Sequence, residues 1–270
     1  MAMTQNCILI DLDGTLYHGE RMVPGADELI ATLNTRSIPF LFLTNNSSAA
    51  PETVALRLNK MGIPARPEQV CTSSMAAAAY MAKRKPEASV AVFGEAGLRG
   101  AVSAAGLKEW TDENVHPDYV LQGIDREFSY EKLAQAGRLI LAGAEFVLTN
   151  PDLLLPSEAG LMPGAGTLGS ALQSMTGVQP VVIGKPSSVM MNFAFDLLGA
   201  QASQVTVIGD NMMTDIKAGA QSGCRSLLLL THEGVTTPHN LERHKGLADA
   251  EPDIIKSNLH EVNEWVLTLS

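Results

Sequence analysis

Aromatic residues are scarce, at 5% of the chain, and there are only three cysteines. With so few rings, the apolar load falls on Leu, Val, Ile and Ala, a mix that suits buried parallel strands covered by helices. Cys7, Cys71 and Cys224 are odd in number and far apart, and no CxxC occurs. That excludes a disulfide framework, and the expectation is buried, reduced thiols in the cytoplasm. No apolar run approaches the roughly 20 residues that a membrane span needs. The opening Met-Ala-Met-Thr-Gln-Asn has no basic region, and Asp11 and Asp13 interrupt the apolar stretch behind it, so no signal peptide is read. Positive charge is also short: 19 Lys and Arg stand against 29 Asp and Glu, a net charge of −10. This balance argues against nucleic acid or an anionic membrane as the partner. An anionic small molecule stays admissible, because a bound metal ion reverses the local field.

Apolar residues make up 46% and charged residues 18% of 270 positions, enough for a sizeable core in one large or two ordinary domains. The chain alternates short apolar runs with helical patterns. Residues 7–12, 39–44, 180–184, 205–210 and 226–230 read as buried strands. Residues 25–36, 51–61, 187–198, 213–222 and 258–269 read as helices. Such alternation predicts a parallel α/β sheet. The middle has strands of its own at 89–93, 119–122 and 145–149, with helices near 96–105 and 129–142 between them. It reads as a second α/β domain, residues 83–177, inserted into a core made of 1–82 and 178–270.

The chemistry is concentrated where strands stop. The first ends in Asp11-Leu12-Asp13-Gly14-Thr15, two carboxylates two residues apart. The second ends in Thr44-Asn45-Asn46, a hydroxyl and amides able to donate to an oxyanion. The strand at 180–184 ends in Gly184-Lys185-Pro186, a fixed positive charge. The strand at 205–210 ends in Gly209-Asp210-Asn211-Met212-Met213-Thr214-Asp215, two more carboxylates. In open α/β sheets, ligands bind at the carboxyl ends of strands. A phosphate monoester is a dianion. Carboxylate attack on it needs a divalent cation to screen repulsion, and lysine or hydroxyl groups to hold its oxygens. Hard aspartate oxygens suit Mg²⁺, and no His/Cys cluster has zinc spacing.

This ordered set resembles the haloacid dehalogenase-like superfamily of phosphohydrolases. The insertion between the second and third motifs resembles the NagD-like branch with its type C2 cap. Pro24-Gly25-Ala26, Gly94-Glu95-Ala96-Gly97-Leu98, Thr149-Asn150-Pro151-Asp152 and Gly184-Lys185-Pro186-Ser187 belong to the same likeness. The resemblance implies a doubly wound, Rossmann-like core carrying an inserted α/β cap. It implies an Asp11 nucleophile that forms an aspartyl-phosphate, and an Asp13 that protonates the leaving alkoxide and then deprotonates water. Thr44, Asn45 and Lys185 would hold the phosphoryl group. Asp11, Asp210 and the backbone carbonyl of Asp13 would hold Mg²⁺, with Asn211, Asp215 and Thr15 orienting these groups. Asn150 and Asp152 would lie near the domain interface and help to select the substrate. The partner implied is a small phosphorylated metabolite, a nucleoside monophosphate or a sugar phosphate, and a homodimer through the cap is left open. A haloacid dehalogenase would need neither Mg²⁺ nor Asp13. A non-catalytic binding protein would lack the nucleophile or the lysine, and both are present.

Two features are set aside. Gly164-Ala165-Gly166-Thr167-Leu168-Gly169 matches a dinucleotide fingerprint by letter, but no strand precedes it and no Asp or Glu lies between 159 and 195. It reads as a crossover back into the core. Of the six histidines, only His18 is near the first motif, where it either lines the cleft or sits in a solvated loop.

Overall fold

The first apolar run folds as the strand Cys7–Ile10, with all four residues buried. It lies inside a six-stranded sheet ordered Ile254–Lys256, Arg225–Leu229, Val205–Gly209, Cys7–Ile10, Phe40–Thr44, Val70–Thr72. The register is parallel, Cys7 opposite Val205 on one side and Ile8 opposite Phe40 on the other. From the central Cys7–Ile10 the chain builds outward on one side, then returns and builds outward on the other. The order reverses between Cys7–Ile10 and Val205–Gly209, so the crevice of a doubly wound sheet falls between the residues that follow them, Asp11 and Asp210.

The computed structural model describes residues 6–112, 114–157 and 160–269. They form two compact units, Met1–Thr44 with Glu52–Cys71 and Met191–Ser270, and Asn45–Pro51 with Thr72–Met190. In the first, the helix Ala26–Thr35 buries Ala26, Leu29, Ile30 and Leu33, a stripe of helical spacing. Gly25 takes a left-handed φ of 90° at its start, and Asp27 and Glu28 suit the positive end of its dipole. Arg36, just past that helix, donates to the carbonyls of Leu267 and Leu269 at 2.6 and 2.7 Å, capping the closing helix Leu259–Thr268.

The second unit has its own parallel sheet, ordered Val181–Val182, Glu145–Leu148, Tyr119–Gln122, Ser89–Phe93, Lys108–Glu109. Phe93, Val120, Ile140, Phe146 and Leu172 form a core on it. Three expectations are corrected here. The run at 180–184 yields only Val181–Val182, half-buried, and pairs with Val147 and Leu148 at the edge of this second sheet rather than in the core sheet. The domain edges therefore move from 83 and 177: the helix Ser73–Arg84 and residues up to Met190 belong to the inserted unit. The glycine-rich 164–169 segment follows the strand Gly160–Pro163 and opens the helix Ala165–Thr176, which crosses to the parallel edge strand of this second sheet rather than back into the core.

That helix explains its glycines. A Cβ on Gly166 would stand 2.2 Å from the Pro151 carbonyl oxygen. The Gly166 N–H donates to the Asp152 carbonyl at 2.9 Å. The helix start is occupied by the chain's own backbone, which leaves the fingerprint no phosphate to hold. Gly166→Ala gains about 1 kcal/mol of helix propensity but forces a contact with backbone, at a cost of about 1–3 kcal/mol. The helix Ala96–Ala104 carries the opposite case: Gly100 is exposed, with nothing within 4 Å of its would-be Cβ. Thermal denaturation should therefore show a lower Tm for Gly166→Ala and a Tm raised by about 2–4 °C for Gly100→Ala. Shifts of the same sign in both variants would contradict this account of the glycines.

Candidate active site

One carboxylate oxygen from each of Asp11, Asp210 and Asp215 lies within 4.8 Å of the others. Asp210 and Asp215 are buried and Asp11 is half-buried. Charges this close repel by about 4 kcal/mol per pair at an effective dielectric of 20. The chain answers with donors. The buried Thr15 hydroxyl lies 3.3 Å from Asp11 Oδ2 and 3.5 Å from Asp210 Oδ1. The Val235 N–H donates to Asp210 Oδ2 at 2.6 Å. The Asn211 N–H donates to Asp215 Oδ2 at 3.2 Å, and Asn211 Oδ1 caps the turn by accepting from Met213 N–H at 2.9 Å. That turn is the π-helical Met212–Ile216, a geometry frequent at functional sites. Two glycines let the carboxylates pack: a Cβ on Gly14 would lie 2.4 Å from Asp210 Oδ2, and one on Gly209 would lie 2.2 Å from Asp215 Cγ.

The donor set is all oxygen and all acidic, without His or Cys, which fits a hard divalent cation such as Mg²⁺ and not zinc. The carboxylate of Asp215, expected only to orient the ligands, stands with those of Asp11 and Asp210 in the group. Sequence reasoning also passed over the loop after the strand Arg225–Leu229. Its Thr236 is fully buried, donates its N–H to the Asp210 carbonyl at 3.0 Å, and accepts from Met212 N–H at 3.0 Å. The signal was available, since this loop also leaves the carboxyl end of a parallel strand beside Asp210.

Asp13 is exposed, and its Oδ2 accepts a 2.9 Å hydrogen bond from the buried Tyr17 hydroxyl. Burial, and next the charge of Asp13, holds the Tyr17 phenol well above its ordinary pKa, while Arg57 pulls the other way. The phenol is a donor at any working pH. Thr44 ends its strand buried.

In the inserted unit, Asn45 clamps the backbone of Lys185. Its Oδ1 accepts from Lys185 N–H at 2.7 Å, and its Nδ2 donates to the Lys185 carbonyl at 3.1 Å and to Asp152 Oδ2 at 3.0 Å. Asn150 Nδ2 and Ser73 Oγ both donate to the Asn45 carbonyl, at 2.8 and 2.6 Å. Asn150 and Lys185 are each 2% exposed. Four of the expected residues thus meet in one network, and Ser73 is an unforeseen member.

Residues 8–108 match a family model described as haloacid dehalogenase-like hydrolase, and residues 182–262 match a HAD-hydrolase-like model. Over 228 residues the chain is 48% identical to the 5′-nucleotidase YutF of Bacillus subtilis (strain 168), covering 84% of this chain and 87% of that protein. This chain belongs to the haloacid dehalogenase-like hydrolases. The hydrolase is also 43% identical to the acid sugar phosphatase of Staphylococcus saprophyticus, over 87% of its own length and 89% of the relative's. Among solved structures, the p-nitrophenyl phosphatase from Archaeoglobus fulgidus superposes with a TM-score of 0.89 at 32% identity, covering 97% of this chain and 99% of that one. The 4-nitrophenylphosphatase from Thermotoga maritima gives 0.87 at 32% identity, covering 97% of each. These likenesses put the hydrolase in the NagD-like branch.

The glycine beneath Asp215 offers a direct test of the carboxylate group. Gly209→Ala places a methyl where the Asp215 carboxyl now lies, so that carboxyl must shift. Mg²⁺ affinity, measured by isothermal titration calorimetry, should fall by about 10–100-fold. Unchanged affinity would mean that the position of Asp215 does not govern the cation.

Proposed function

We propose that this hydrolase is a Mg²⁺-dependent phosphatase that cleaves a small phosphate monoester, a nucleoside monophosphate or a sugar phosphate, through an aspartyl-phosphate on Asp11. The observation that carries the reading is the separation of carboxylates. Three gather at the switch point of the sheet, and a fourth, Asp13, lies outside that group and accepts from Tyr17. Asp11 and Asp210, with the Asp13 carbonyl, would hold the cation, and Asp215, Asn211 and Thr15 would orient them. A cation held there would screen repulsion between the carboxylates and the phosphate dianion. Asp11 attacks phosphorus, and the ester oxygen leaves with a proton from Asp13. Asp13 then takes a proton from water, whose oxygen attacks the acyl-phosphate and frees inorganic phosphate and the Asp11 carboxylate. Thr44, the Asn45 backbone and the Lys185 ammonium neutralise the transferring phosphoryl oxygens. The bonds made by Asn150 and Asp152 support a share for them in fixing Asn45 and Lys185.

A dehalogenase has no use for a held Asp13, which favours the phosphatase. Relatives named 5′-nucleotidase and acid sugar phosphatase support both substrate classes. The three cysteines are buried, and burial pushes the Cys224 thiol up to about 12, in keeping with inert thiols in the cytoplasm. Among the described residues, no helix is long and apolar enough to cross a membrane.

Asp13→Asn leaves the nucleophile intact but removes the base for the water step. Mixed with p-nitrophenyl phosphate and Mg²⁺, this variant should gain one phosphoryl group by intact-protein mass spectrometry, on the peptide that contains Asp11. Excess chelator should prevent the adduct. Continued hydrolysis with no adduct would mean that water attacks phosphorus directly, and the covalent reading would be wrong.

Exposed Leu154, Leu161 and Met162 on the hairpin Leu154–Ser157/Gly160–Pro163 support pairing of two copies through the inserted unit. Light scattering should then give a dimer mass for the wild type and a monomer mass for Leu161→Asp. An unchanged mass would remove the hairpin from any interface.

A further inference from the structure

Tyr17 sits four residues beyond Asp13, yet the two meet because the loop between them closes on itself. The Leu12 carbonyl accepts from the N–H groups of Thr15, Leu16 and Tyr17 at 3.2, 2.9 and 3.3 Å, and the Gly14 N–H donates to the Tyr17 carbonyl at 2.9 Å. The ring is therefore placed by backbone geometry, with the side chain 3% exposed. Tyr17 also begins the short antiparallel pair Tyr17–His18/Arg21–Met22, opposite Met22.

The ring is fixed from a second direction. The Arg57 guanidinium lies over its face, Cζ 4.6 Å from the centroid, and Arg57 Nη2 donates to the Gly19 carbonyl at 2.7 Å. Arg57 belongs to the helix Pro51–Lys60, so a rigid element holds the cation in place. Cation–π contact contributes about 0.5–2 kcal/mol, enough to favour one ring position over its alternatives. The result is a buried, rigid donor aimed at one oxygen of an exposed carboxyl.

We propose that Tyr17 is a positioning residue for Asp13, holding its carboxyl in the orientation from which it serves the leaving group, and that Arg57 fixes the ring that does so. This rests on the reading of Asp13 as the acid. Tyr17 keeps its own proton throughout. Its contribution is to settle the two side-chain torsions of Asp13 before substrate arrives, which removes an orientational cost from the step that needs the proton. A purely structural tyrosine would instead use Asp13 only as a partner for its buried hydroxyl, and its loss would weaken all substrates alike.

The two cases separate on leaving groups. Nitrophenolate departs without a proton, and an alkoxide does not. The quantity to measure is the second-order rate constant for leaving-group release, which excludes the later water step, on p-nitrophenyl phosphate and on an alkyl phosphate such as glycerol phosphate. Tyr17→Phe keeps the ring and removes the hydroxyl. It should lower the alkyl constant by about 10-fold or more while changing the aryl constant by less than about 3-fold. Asp13→Asn should show the same selectivity to a greater degree, and the double variant should lose nothing further on the alkyl ester. Arg57→Met keeps the tyrosine and loosens its ring, so it should shift the ratio in the same direction by a smaller factor, and it serves if Tyr17→Phe does not fold. If Asp13→Asn is selective but neither Tyr17→Phe nor Arg57→Met is, the positioning role is overturned. If Asp13→Asn itself leaves the ratio unchanged, the assignment of Asp13 fails first, and the inference falls with it.

Discussion

Mutual repulsion among Asp11, Asp210 and Asp215 is the constraint around which the core unit is built. Folding has to bring three carboxylates within 4.8 Å, two of them buried, and each loses water on the way. An isolated buried carboxylate is costly. The sheet provides the first answer, since two adjacent parallel strands, Cys7–Ile10 and Val205–Gly209, end together and deliver Asp11 and Asp210 from rigid ladders. The second answer is a shell of donors that come from three separate stretches of chain, with Thr15, Asn211 and Val235 each supplying a hydrogen bond. The third is clearance, which Gly14, Gly209 and Gly234 provide. None of the three works alone. Donors without clearance cannot approach, and clearance without donors leaves bare charge.

The inserted unit solves the opposite problem, how to fix a cation. A lysine side chain is long and rotatable, and burying it costs rotamer entropy of about 1.5–2 kcal/mol. The Asn45 side chain holds both backbone groups of Lys185, as a partner strand would, so the base of that side chain is set by the fold. Asp152 and Asn150 in turn hold Asn45. The short edge strand Val181–Val182 feeds directly into this clamp, which explains why the lysine segment travels with the second sheet. Two half-buried residues have too little apolar surface to demand a place in the interior of a sheet, and an edge next to Glu145–Leu148 suits them.

What could be read from residues and what could not follows from where the information lies. Asp11, Asp13, Asp210 and Lys185 announce themselves because each ends an apolar run, and a strand end in an α/β sheet is where ligands bind. The parallel sheets were legible for the same reason, through continuous apolar runs at 7–12, 39–44 and 205–210. The helix Ser73–Arg84 was not, because its buried face is mostly Ala and Ser and so carries little hydrophobic contrast. The helix Ala165–Thr176 was hidden by its own glycines, which read as breakers while they in fact permit close packing on Pro151 and Leu148. Tyr17 and Ser73 were missed for a different reason. Their importance lies in a partner far off in sequence, or in a loop closure that no periodicity reports.

The acidic balance takes on a definite meaning once the geometry is known. A net charge of −10 repels a phosphate dianion at long range, but salt limits that field to about 8 Å at physiological ionic strength. Discrimination must therefore be local, and each local group here is held by the chain before any ligand binds. Asp210 and Asp215 accept from backbone N–H groups and Asp11 from the Thr15 hydroxyl, Asn45 holds the Lys185 backbone, and Tyr17 donates to Asp13. Folding energy goes into orientation in such a group, because carboxylates packed this closely would otherwise turn away from each other.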